Sequence, residues 1–333
     1  MTKLSAALLV LFVLLGAATY YFVSNSNSKT TLTQTDKDFR TEEKQIYKIF
    51  LADRSNNRLT ISRVGHSNDW LLDDKYPVSK SVMKSTMEVL STVEVKYVPP
   101  RAAVKNAAKD LAVNGIKVEI YGQNDVPLKT FYIGGTTSDG HGTYFIMEGS
   151  EQPYVMQIPG FIGEIRPRFP MTPDAWRTKS IFNERPENIK SLSVEYPQIK
   201  LSSFKITKDG SGYSVLPFYD AVPRINRAVS QRMVRSYLTG FEQSLAEGID
   251  NRNEARDSIS RTLPFTIIRV QNDQGKEFAV RIFPIIEKDE YGRPIERRKP
   301  DRYFAETSEG DFFLIQDVVF RKLFFDYKAF FDN

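Results

Sequence analysis

The chain has 333 residues, 41% of them hydrophobic and 26% charged, an ordinary globular composition with enough apolar material for more than one core. Its 46 basic and 41 acidic residues leave a net charge of +5, too small an excess to mark a nucleic-acid surface, so no nucleic-acid partner is expected. The absence of cysteine excludes disulfides, thiolate catalysis, cysteine-held zinc or iron–sulfur centres and a lipidated N-terminal cysteine.

In chain order, Lys3 is followed by LSAALLVLFVLLGAATYYFV, residues 4–23, an uncharged run opened by Leu4 and closed by Val23. Its length suits a bilayer-spanning helix, and Tyr20 and Tyr21 fall where interfacial aromatics sit. A cleaved signal peptide is the alternative, with 4–15 as its apolar core and Gly16, Ala17 and Ala18 at the cut. Continuation of the apolar run past that cut favours the anchor, and either case exports the chain. Residues 24–42 are polar, without hydrophobic period, and read as a tether.

Beyond the tether one pattern recurs. A hairpin is expected over 46–64 and again over 189–208, each strand alternating apolar and polar residues. An amphipathic helix follows each. Val78, Val82, Thr86, Val89 and Val93 mark the first; Ile225, Val229, Met233, Tyr237 and Phe241 mark the second. A shorter helix follows over 100–115 and over 251–263, and then strands resume at 116–121 and 265–270. The final strands, TYFIM to YVMQI and RYFAET to FFLIQD, complete the parallel. The expectation is an α+β protein: a transmembrane helix at 1–23, a tether at 24–42, and two related modules at 43–185 and 186–333. Each module is expected to be a mainly antiparallel sheet covered on one face by two helices.

The glycine-rich GGTTSDGHGTYF, residues 134–145, runs into a strand and has no following Lys, so it reads as a hairpin connection rather than a phosphate cradle. Ser138, Asp139 and His141 crowd one turn, whereas a nucleophile–base set converges from separate parts of a fold. His66 has no partner pattern for a metal. No catalytic residue, cofactor or metal site is expected. Asp73-Asp74 and Asp289-Glu290 are sequence neighbours without evident convergence, and Arg224, Arg227, Arg232 and Arg235 read as a solvated helix face.

Candidate partner-binding residues lie in three places. The stretch ERRKPDR, with Arg297, Arg298 and Lys299, is the densest basic run and suits an anionic surface. Trp176, among prolines at the module junction, is either packed between modules or a partner anchor. The C-terminal VVFRKLFFDYKAFF, with Phe324 and Phe325, either docks back on the second module or meets a partner.

The N-terminal apolar run together with YKIFLAD, AVKNAAKDLAVNGIKVEIY, KTFYIGG, GTYFIM, YVMQIPGF, AWRTKSIF and IKSLSVEYP resembles a domain-of-unknown-function family of bacterial envelope proteins. That family is associated with auxiliary components of gliding-motility-type ABC transporters. The resemblance implies an exported chain at the bacterial inner membrane with its modules in the periplasm, and a membrane protein complex, including ABC transporter components, as partner. It implies no catalytic residues. The function expected is a non-enzymatic, membrane-anchored accessory or scaffold protein, with a module for anionic envelope glycan or lipid as the alternative and a hydrolase third.

Overall fold

A computed structural model describes residues 37–333 apart from 211, 287, 288, 292, 294, 296–298, 332 and 333. The described residues form two compact units, divided between Thr178 and Lys179.

The first unit is built on a nine-stranded sheet in which every neighbouring pair is antiparallel. Its strands are β1 Lys48–Ala52, β2 Arg58–Arg63, β3 Trp70–Leu72, β4 Tyr76–Pro77, β5 Glu94–Tyr97, β6 Ile116–Tyr121, β7 Pro127–Thr136, β8 Thr143–Met147 and β9 Tyr154–Gln157. Their order is β4-β3-β2-β1-β6-β7-β8-β9-β5. Alternation sends Ile49, Leu51, Leu59, Ile61, Val118 and Ile120 to one face, where Met83, Met87 and Leu90 of α1, Lys80–Thr92, cover them. Phe39 also enters this core, its ring edge-on to Phe131 and Phe145 at 5.6 Å each. A lone aromatic in a polar stretch carries no period, so patterning alone assigns it to the tether.

The second helix, α2 Arg101–Asn114, lies on the opposite face. Its Leu111 packs directly over Gly134 of β7, and Asp110 Oδ2 accepts the Gly135 N–H at 2.7 Å. A Cβ at Gly134 would stand 2.9 Å from Leu111 Cδ2, so the glycine pair lets helix and sheet approach this closely. A short helix, α3 Pro173–Trp176, closes the unit.

The second unit begins with β10 Ser180–Phe182, which pairs with β14 Ser244–Leu245 in a two-stranded sheet. Its main sheet has eight strands: β11 Ile189–Glu195, β12 Phe204–Asp209, β13 Gly212–Pro217, β15 Gly248–Ile249, β16 Thr266–Asn272, β17 Glu277–Pro284, β18 Arg302–Thr307 and β19 Phe312–Gln316. They run β13-β12-β11-β16-β17-β18-β19-β15, again antiparallel throughout. The series β2-β1-β6-β7-β8-β9-β5 of the first sheet and β12-β11-β16-β17-β18-β19-β15 of the second are one strand order used twice.

The helices correct the α+β expectation. The molecule is mostly antiparallel β in three sheets, with few and short helices. The helix expected from Ile225 starts only at Gln231: α4 is Gln231–Leu238, followed by the 3-10 turn Thr239–Phe241. Upstream, Val229 bridges to Phe331 and the Ile225 N–H donates to Tyr327 Oη, so distant partners hold that segment out of the helix. The helix expected over 251–263 shrinks to α5 Arg256–Ser260. The Asn253 Oδ1 accepts the Ala255 N–H and the Asn251 Oδ1 accepts the Phe312 N–H, the side-chain competition that keeps Asn and Asp at helix ends. Nor do two helices share one face. In the second unit α4 buries Val234, Tyr237 and Leu238 in the core, while α5 lies over the reverse face, where Arg281 donates to the Ser260 carbonyl.

The last helix is α6 Asp317–Phe320. Among the described residues no helix is long and apolar enough to cross a membrane. The transmembrane helix expected at 4–23 lies outside the described residues.

Candidate interaction surface

The glycine-rich turn between β7 and β8 resolves into local bonding. Asp139 Oδ1 accepts from Thr137 Oγ1 at 2.5 Å and from the His141 N–H at 3.1 Å. The Thr137 hydroxyl first, and the His141 amide second, hold the Asp139 carboxyl below the usual carboxylate range. That carboxylate is therefore committed to its own turn rather than to orienting a base. His66 lies elsewhere, its Nδ1 3.3 Å from Tyr47 Oη. Among the described residues no group of three metal-ligating side chains converges. Asp289 is likewise a turn residue: it accepts the Arg293 and Tyr291 N–H groups and pairs with Arg293 Nε at 2.8 Å, which lowers its pKa.

Of the candidate partner-binding residues, Trp176 is wholly buried in the core of the first unit, where its Nε1 donates to the Pro170 carbonyl at 2.6 Å. Arg297 and Arg298 lie outside the described residues, and Lys299 is exposed.

The C-terminal run folds onto the core of the second unit. Phe320, Leu323, Tyr327 and Phe330 are buried there, while Phe324 and Phe325 stay half-buried at its margin. The reason is irregular spacing: α6 passes into the 3-10 turn Arg321–Leu323, and after the loop at 324–326 a second 3-10 turn, Tyr327–Phe330, points its apolar residues inward. Phe324 stands edge-on to Phe265 at 5.2 Å and packs on Tyr303 at 5.5 Å; Phe325 lies against Tyr237 at 4.9 Å. Two hydroxyls pin the backbone beneath, with Tyr237 Oη donating to the Leu323 carbonyl and Tyr196 Oη to the Phe325 carbonyl, both at 2.9 Å. Burial pushes the Tyr196, Tyr237 and Tyr303 phenols well up, so all three stay neutral donors. The arrangement is an apolar margin braced by hydrogen bonds from neutral phenols.

A second exposed patch escapes sequence reasoning altogether. The turn between β11 and β12 presents Ile199, Lys200 and Leu201, with Lys200 over the ring of Tyr219 and Lys205 of β12 over that of Phe218. The three residues span one short turn, with no period for patterning to detect.

The family described as Domain of unknown function (DUF4340) matches residues 70–250. The matched span opens at β3 and closes just after β15, so it takes in parts of both units. No curated protein and no solved structure matches the chain.

Proposed function

We infer that this chain, which belongs to the DUF4340 family, is a non-enzymatic accessory or scaffold protein that binds a membrane protein complex. The observation that carries this reading is the pair Phe324 and Phe325, half-buried on a braced aromatic margin of the second unit. Half-covered aromatic rings on a rigid support are what partner interfaces bury at their centres, because such rings add large apolar area at small entropic cost. The resemblance of the sequence to envelope proteins associated with gliding-motility-type ABC transporters supplies the partner class. The apolar run 4–23 supports attachment at the bacterial inner membrane, with the folded units in the periplasm.

In-cell crosslinking of the full chain, followed by affinity purification from membranes and mass spectrometry, tests this. A recurring partner at near-constant ratio is expected, with Phe325→Ala reducing its recovery while the purified variant still melts cooperatively. Intact chain recovered from membranes without a stoichiometric partner overturns the reading.

A second reading, a module for anionic envelope glycan or lipid, draws on the exposed Lys299 and its neighbours Arg297 and Arg298. Salt-sensitive retention on anionic envelope material, lost when the three are neutralised, separates it from the first. A hydrolase centred on Asp139 and His141 predicts turnover lost on substitution of either residue.

A further inference from the structure

We propose that the turn linking β11 to β12 in the second unit seats on an anionic lipid surface. Residues 199–201 present two aliphatic side chains around one cation at a turn tip, with Ile199 54% and Leu201 61% exposed. The tip is firmly held. The Ile199 N–H donates to the Tyr196 carbonyl at 3.1 Å, Ser203 Oγ accepts the Tyr196 N–H at 2.8 Å, and Ser202 Oγ donates to Asp326 at 2.6 Å. A pinned tip holds its apolar side chains outward at little further entropic cost.

The surroundings match an interface between headgroups and acyl chains. Lys200 Nζ sits 5.3 Å from the centre of the Tyr219 ring, and Lys205 Nζ 4.8 Å from that of Phe218. Leu216 lies directly opposite Lys205 across the β12–β13 pair and is itself exposed. The two ammonium groups thus sit over aromatic ring faces on the exposed surface, cations set against apolar carbon as at a headgroup boundary. Neither lysine belongs to an ion pair among the described residues. The nearby Glu195 carboxylate is matched by Arg269 at 3.0 Å and by the Tyr219 hydroxyl at 2.8 Å; Asp326 accepts from the Ser202 hydroxyl and the Lys328 N–H, neutral donors that leave its charge in place. Asp220 is the exposed acid next to Tyr219. Asp326 and Asp220 keep their charges nearby, but within residues 199–201 the charged group is the cation Lys200, which favours an anionic occupant. A two-residue aliphatic tip is also far below the roughly 800 Å² per partner of a stable protein interface, whereas inserting a few side chains suffices for a lipid surface.

Because the chain lacks cysteine, Leu201→Cys provides a single thiol for an environment-sensitive fluorophore. Gln274→Cys, exposed in the β16–β17 turn at the other end of the same sheet, serves as control. The labelled full chain is mixed with vesicles of phosphatidylcholine alone or with phosphatidylglycerol, each carrying nitroxide-labelled lipid. Expected is a blue shift and lipid quenching at 201 but not at 274, only with phosphatidylglycerol, and weakened by about fivefold for each of Lys200→Gln and Lys205→Gln. A label at 201 that stays in water, that responds equally on neutral vesicles, or that is shielded only when membrane proteins are supplied overturns the proposal. These outcomes stand apart from the partner capture above, since neither lysine variant alters Phe324 or Phe325.

Discussion

Gln231 bonds Tyr213 as a neighbouring strand would: its Oε1 accepts the Tyr213 N–H and its Nε2 donates to the Tyr213 carbonyl, both at 2.8 Å. Tyr213 lies on β13, the edge strand of the second sheet, and an open edge is a template for pairing with another chain. One side-chain amide supplies both partners that a further strand would have supplied. Gln231→Leu removes them together and is expected to cost about 1–3 kcal/mol for the two stranded groups. It also frees the edge, so gel filtration at rising concentration should show association that the parent chain lacks. An unchanged melting temperature with monomeric elution would remove Gln231 from this role.

Gly134 and Leu111 supply the next expectation. The Leu111 side chain occupies the space that a Cβ at Gly134 would need, so Gly134→Ala overpacks the α2–β7 contact and should destabilise the first unit by about 1–3 kcal/mol. Combining it with Leu111→Ala makes room. The double variant should therefore be more stable than the sum of the two single losses, a coupling that urea titrations of all four proteins would measure.

That contact marks where sequence legibility ends. The glycine-rich loop is readable as a hairpin connection because its glycines run into a strand, but the use of Gly134 and Gly135 depends on a helix that docks from some twenty residues upstream. The succession of strand segments is readable too, since Ile116, Val118 and Ile120, or Leu192 and Val194, declare their buried face by alternation. Steps of four are weaker testimony. Ile225, Val229, Met233, Tyr237 and Phe241 predict one continuous stripe, yet Met233 is exposed while Val234 and Leu238 are buried. The upstream part of that stripe is drawn off by Phe331 and Tyr327, residues about a hundred positions away, which no local period encodes. The half-covered state of Phe324 and Phe325 was equally hidden, because it follows from 3-10 turns that break the helical spacing.

Glu119 predicts a pH dependence. Burial would raise its carboxyl pKa, but hydrogen bonds from Lys117 and Tyr121, with the charges of Lys117 and Lys48, outweigh burial and leave it lowered. A carboxylate with a depressed folded-state pKa contributes stability above its unfolded value, about 4.3, and loses it as pH falls through the folded one. Lys117 is shifted upward, by its bond to Glu119 first, so its contribution is present below the unfolded lysine value and fades only in strong alkali. Urea midpoints should therefore drop on acidification from about pH 5 to pH 3. Glu119→Gln should be less stable at neutral pH and show a shallower drop, and parallel slopes for the two proteins would assign the acid sensitivity elsewhere.

Trp176 gives the largest expected loss. It is wholly buried, with its one polar atom satisfied by the Pro170 carbonyl, and its own carbonyl accepts the Ser79 N–H at the start of α1. Trp176→Ala leaves a large cavity and should cost about 3–5 kcal/mol, enough to unfold a marginal unit. Trp176→Phe keeps most of the apolar volume but strands the Pro170 oxygen, a penalty of about 1–3 kcal/mol. Trp70 is the only other tryptophan, so a Trp70→Phe background makes Trp176 the sole indole. Its emission should be blue-shifted in the folded chain and shift to the red in one step with urea. An indole instead exposed for a partner would emit like solvated tryptophan from the outset, and its replacement by Phe would leave the urea midpoint unmoved.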